Sequence, residues 1–86
     1  MSVDKNRQAV CTRVARLLKE EREKHGLSMT VLAERAGLSQ QMVSYVERGM
    51  RNPGLDTLIR LTEAMEVDLA ELIKQAQATV SKKKPK

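Results

Sequence analysis

Residues 26–49 read GLSMTVLAERAGLSQQMVSYVERG. Two short segments of apolar periodicity, 29–36 and 40–48, lie on either side of Gly37, and each follows a serine, Ser28 or Ser39. A serine just ahead of a helix accepts a hydrogen bond from a first-turn N–H that has no partner within the helix. A glycine between two such segments tolerates the positive φ of an abrupt helix end. The expectation is a helix, a tight turn and a second helix. Leu32, Ala33 and Ala36 of the first and Val43 and Val46 of the second face inward.

The flanking sequence extends this pattern. Asp4 is expected to cap a long helix over residues 5–24, on which Val10, Val14, Leu17 and Leu18 form one stripe. Arg22, one turn after Leu18, continues that face with a charge. His25 and Gly26 have the chemistry of a helix end. Residues 48–54, RGMRNPG, are a loop by their turn chemistry. A fourth helix over 55–65 gathers Leu55, Leu58, Leu61, Thr62 and Met65 on one face. Asp68 caps a fifth, from residue 69 to about 79, with Leu69, Leu72, Ile73 and Ala76 as its stripe. The fold class is therefore all-α, a five-helix bundle. Residues 1–80 are read as one domain, with the helix-turn-helix unit at 28–48 and 81–86 as a disordered lysine-rich tail.

Composition bounds the rest. Eighty-six residues make one small domain, and with a single aromatic, Tyr45, the core has to be aliphatic. One cysteine, Cys11, leaves no internal disulfide and no cysteine-cluster zinc site, which fits a reducing cytoplasm. No apolar run approaches the roughly 20 residues that span a bilayer. The net charge is +5, but the four lysines of the tail supply +4 of it. The remaining body is polarised, with a basic N-terminal half and an acidic C-terminal half.

The segment 40–48 carries the chemistry. On a helical wheel, Val43, Val46 and Glu47 share the core side, while Gln41, Ser44, Tyr45 and Arg48 share the opposite face. Gln40 is accessible in the first turn. Glutamine can pair in a bidentate way with adenine N6 and N7, and serine can donate to or accept from any base. Tyr45 can place its hydroxyl on a phosphate or its ring on a thymine methyl. Arg48 suits phosphate or guanine. The N-termini of both short helices expose N–H groups to phosphate oxygens, and Ser39 can contact a phosphate while it caps.

These residues resemble the lambda-repressor-like (XRE-type) helix-turn-helix regulators of bacteria and phages. The resemblance rests on Arg22 with Gly26-Leu27-Ser28, on Leu32 through Gly37, on Leu38-Ser39-Gln40, Val43-Ser44, Glu47-Arg48-Gly49 and Arg51-Asn52-Pro53, and on Leu58 with Leu61. It covers about Val14 to Ile73. It implies a five-helix lambda-repressor-like bundle whose second and third helices bind double-stranded DNA. It implies base reading by Gln40, Gln41, Ser44 and Tyr45, and backbone contacts around Arg48, Arg51 and Asn52. It also implies a partly buried salt bridge between Arg22 and Glu47, a carboxylate that the wheel puts on the core side, where it would be costly alone. One position departs from the family. The first residue of its second helix is often a glutamine that holds a phosphate and braces the recognition helix, and here it is Met29. Met29 is then expected under the loop or on the sugar edge, with Thr30 taking over the backbone contact.

The remaining side chains point to no second chemistry. Cys11 is expected at the edge of the core. His25 complements a helix C-terminus. The two lie fourteen residues apart on one helix, about 21 Å by its rise, too far for a nucleophile–base pair. Neither an enzyme nor a cofactor nor a metal is expected. The tail either adds sequence-independent phosphate contacts or only solubilises. The expected function is a cytoplasmic, nucleoid-associated repressor or autoregulator that occupies an operator as a homodimer. Leu69, Leu72, Ile73 and Ala76 are the expected dimer interface. Restriction-modification controller proteins are one small, single-domain branch of this kind. The alternative is an antitoxin-type module that neutralises a partner protein.

Overall fold

The protein's structure, a computed structural model, describes residues 3–50 and 52–82. Five helices follow one another: α1 (Val3–Lys24), α2 (Met29–Ala36), α3 (Gln40–Glu47), α4 (Leu55–Met65) and α5 (Leu69–Lys82). Among the described residues there is no strand, and no helix is long and apolar enough to cross a membrane. α1 begins ahead of Asp4, which therefore lies in its first turn and is not its cap. α5 runs past residue 79 to Lys82, and residues 83–86 of the expected tail lie outside the described residues.

One core joins all five helices. Leu18 of α1, Leu32, Ala33 and Ala36 of α2, Val43 and Val46 of α3, Leu61 and Met65 of α4 and Leu72 of α5 are buried together. α1 packs along α5, and α2 packs between α3 and α4. Each α2 or α3 helix has only eight residues, too short to persist in water alone, so this shared core is what holds the pair in shape.

The core differs from expectation at two positions of α1. Cys11 is exposed and not at the core edge. Ala15, one residue off the expected stripe of α1, is buried instead. A small side chain there lets α1 lie close to its neighbours.

Four helices end in one motif. After α2, the Gly37 N–H donates to Glu34 O at 3.3 Å and the Leu38 N–H to Ala33 O at 2.8 Å. This paired closure requires a left-handed residue at the first position, and Gly37 supplies φ 71. After α4 the same closure is made on a residue that carries a Cβ, Glu66, at φ 59.

Candidate nucleic-acid interface

The geometry of α2 and α3 begins at their serines. Ser28 Oγ accepts from the Val31 N–H at 3.1 Å and Ser39 Oγ from the Met42 N–H at 3.1 Å. Both serines are in extended backbone, ψ 163 and ψ 154, so each helix starts abruptly. The remaining first-turn N–H groups of both helices are left for outside acceptors.

The orientation of α3 follows from what it buries. Val43 and Val46 are 0% and 1% exposed, and Met42 packs partly against the same core. That turns Gln40, Gln41 and Arg48 outward to solvent, with Ser44 and Tyr45 half-buried beside them. Gln41 Nε2 donates to Tyr45 Oη at 2.8 Å. The Arg48 guanidinium lies over the Tyr45 ring, 6.0 Å from its centroid. Gln41, Tyr45 and Arg48 thus run as one connected row along the outer face.

The inner side of α3 is tied to α1 by charge. Arg22 Nε donates to Glu47 Oε2 at 2.7 Å and Nη2 donates to Oε1 at 3.1 Å. The two side chains are 10% and 4% exposed. Arg22 Nη1 also donates to Leu27 O at 2.7 Å, in the link between α1 and α2. One guanidinium therefore fixes the end of α3 and the entry to α2. The hydrogen bond donated to Glu47 holds the Arg22 guanidinium above its ordinary value, so it stays charged.

A second tie to the turn was not expected from the sequence. Arg60 of α4 donates from Nη1 to Ala36 O, the last carbonyl of α2, at 3.3 Å. Its Nε donates to Asp56 Oδ2, one turn earlier on the same helix, at 2.8 Å. The Asp56–Arg60 spacing is legible as a helical ion pair. The reach to α2 is a product of how α4 crosses it.

The other expected contact residues fall out as follows. Thr30, Ser39 and Asn52 are exposed on or beside the two short helices. Met29 is half-buried and packs against the core, under the start of α2. Arg51 lies outside the described residues. On α5, Leu72 and Ala76 are 3% and 0% exposed. They are buried in the bundle's own interior, whereas Leu69 and Ile73 remain half-exposed. Among the described residues, the large apolar side chains that stand exposed are Met50, Ile59 and Leu55, the last of which was expected on the packed face of α4 but lies in its first turn beyond the core.

A family model described as helix-turn-helix matches residues 18–72. The chain is 38% identical over 73 residues to an HTH-type transcriptional regulator of Sinorhizobium fredii, y4dJ, a match that covers 85% of this chain and 90% of that one. It is 39% identical over 59 residues to an HTH-type transcriptional regulator of Mycobacterium tuberculosis, covering 69% of this chain and 42% of that one, so it spans less than half of that relative's length. Among solved structures it is similar to the restriction-modification controller protein C.AhdI from Aeromonas hydrophila, with 35% identity and a TM-score of 0.68 over 73% of this chain and 94% of that chain. It shares a fold with the clp gene regulator ClgR from Corynebacterium glutamicum, at 21% identity and a TM-score of 0.76 over 84% and 77% of the two chains.

Proposed function

The chain belongs to the lambda-repressor-like (XRE-type) helix-turn-helix family of DNA-binding transcriptional regulators, and on that premise we propose that it represses or autoregulates transcription by occupying an operator with α3 in the major groove. The observation that carries this reading is the outward row on α3. Gln40, Gln41 and Ser44 read base edges, with Tyr45 beside them in the same row. Thr30, Ser39, Arg48 and Asn52, with the N-termini of α2 and α3, hold the phosphates on either side. Ser39 does this while it caps, because its oxygen accepts from the helix and its hydrogen is available to a phosphate.

Selection of bound DNA from a random pool, at two salt concentrations, identifies the operator. Gln41→Ala then weakens binding to that operator by about 1–3 kcal/mol and leaves nonspecific binding unchanged. An equal loss on every sequence refutes base reading by Gln41.

The regulator acts as a dimer in this reading, because one eight-residue helix reads too few base pairs for operator specificity. With Leu72 and Ala76 closed into the core, the surface for the second copy is the outer face of α4, where Leu55 and Ile59 stand one turn apart and are 65% and 39% exposed. Sedimentation of Ile59→Lys, expected as a monomer that still melts normally, tests this. A dimer of unchanged affinity refutes it. The same closure removes half of the apolar stripe, Leu72 and Ala76, that a neutralised partner protein would have needed on α5.

A further inference from the structure

We infer that Tyr45 is a positioning residue for Gln41, and that the Gln41–Tyr45 hydrogen bond sets the base preference of α3 by presenting the Gln41 amide in one orientation before DNA arrives. The inference rests on the placement of α3 in the groove and deepens it. A glutamine side chain has three free torsions, and an exposed one samples many of them. Gln41 is exposed, yet its Nε2 donates to Tyr45 Oη at 2.8 Å, one turn further along the same helix. Tyr45 is itself constrained, because it is half-buried and has the Arg48 guanidinium 6.0 Å from its ring centroid.

The bond engages one of the two Nε2 hydrogens. The amide keeps Oε1 as an acceptor and the other hydrogen as a donor. Adenine presents the complement of that pair, since its N6 amine donates and its N7 accepts. Guanine presents two acceptors there, O6 and N7, and leaves Oε1 facing a like group. The held amide therefore favours adenine. An amide free to rotate can turn its nitrogen to guanine at no cost within the protein. Holding the side chain also removes part of the ordering entropy that binding would otherwise have to overcome.

The test is a double-mutant cycle read by DNA-binding anisotropy, on the selected operator and on versions with each base pair changed in turn. Tyr45→Phe keeps the ring and its arginine neighbour and removes only the hydroxyl. It is expected to lower affinity for the operator about 2- to 10-fold and to flatten the adenine preference at one position, with melting temperature and nonspecific binding unchanged. In a Gln41→Ala background it should have no further effect on DNA binding. An equal loss in that background means that Tyr45 contacts DNA on its own account and overturns the inference. Preserved adenine preference in Tyr45→Phe overturns it as well. A uniform loss for Gln41→Ala alone instead refutes the underlying base reading, so the two failures are separate. A measurement on the unmodified protein serves as a further check. The Gln41 side-chain amide should be more ordered by NMR relaxation than that of Gln40, and equal mobility refutes the brace.

Discussion

Replacing Arg22 with methionine isolates the tie between α1 and α3. Methionine fills a similar volume but removes a guanidinium that makes three hydrogen bonds, at 2.7 and 3.1 Å to Glu47 and at 2.7 Å to Leu27 O. Hydrogen bonds to charged groups contribute about 1.5–3 kcal/mol each in net terms. The larger effect is on Glu47, whose side chain is 4% exposed and would be left as a buried carboxylate without its partner. Breaking a pair in this way costs about 3–5 kcal/mol. The whole domain, at roughly 0.05–0.15 kcal/mol per residue, has about 4–13 kcal/mol in total. Arg22→Met should therefore fall close to the unfolding threshold, with a melting temperature lower by at least about 12 °C. Denaturant titration followed by circular dichroism should show a lower midpoint with an unchanged slope. The double variant Arg22→Met/Glu47→Leu, which removes both charges, should recover at least half of the loss. A single-variant loss under about 1 kcal/mol, as for a surface substitution, refutes the reasoning, and so does a double variant no better than the single. The sign with pH is also fixed. The folded-state value of Arg22 is raised, so its contribution is complete below the ordinary arginine range and is lost only as pH rises through the raised value, in strong alkali.

Two further substitutions probe the helix ends. Gly37→Ala places a Cβ at φ 71 and 3.0 Å from Arg60 Nη1, so it should cost about 1–2 kcal/mol by denaturation and weaken operator binding through a distorted turn; an unchanged midpoint would show that the turn relaxes freely. Glu66→Gly relieves the same left-handed conformation at φ 59 and should stabilise the protein by about 1 kcal/mol, read as a higher denaturation midpoint, and a lower midpoint would show that the glutamate side chain contributes more than the strain costs.

Most of the architecture was legible in the chain because it is encoded locally. Ser28, Ser39 and Gly37 mark their helix boundaries through backbone hydrogen bonds within four residues, and such signals do not depend on what packs where. The inward set Leu32, Ala33, Ala36, Val43 and Val46 follows from helical periodicity alone. The outward set on α3 follows with it, since fixing one face of a helix fixes the other. The pairing of Arg22 with Glu47 was implied by family resemblance and made physically sensible by the position of Glu47 on the wheel, although twenty-five residues separate the two.

What the sequence left open depends on how the helices cross. Periodicity marked Leu72 and Ala76 as an apolar stripe but could not say whether that stripe met α1 or a second molecule. It met the bundle's own interior, because the two short central helices leave a core that α5 has to close. Cys11 is exposed while Ala15, one turn further along the same face, is buried, because no local pattern specifies where along a 22-residue helix its neighbours meet it. Arg60 could be paired with Asp56 from spacing, but its hold on Ala36 O exists only because α4 crosses the end of α2. Met29 was a departure from the family pattern in the sequence, and it is the packing of α2 that turned its thioether toward the core. Side-chain chemistry and helix limits were therefore local matters, readable in order along the chain. Which surfaces meet, and so which residues stay exposed, was decided by a three-dimensional competition for a small amount of buried space.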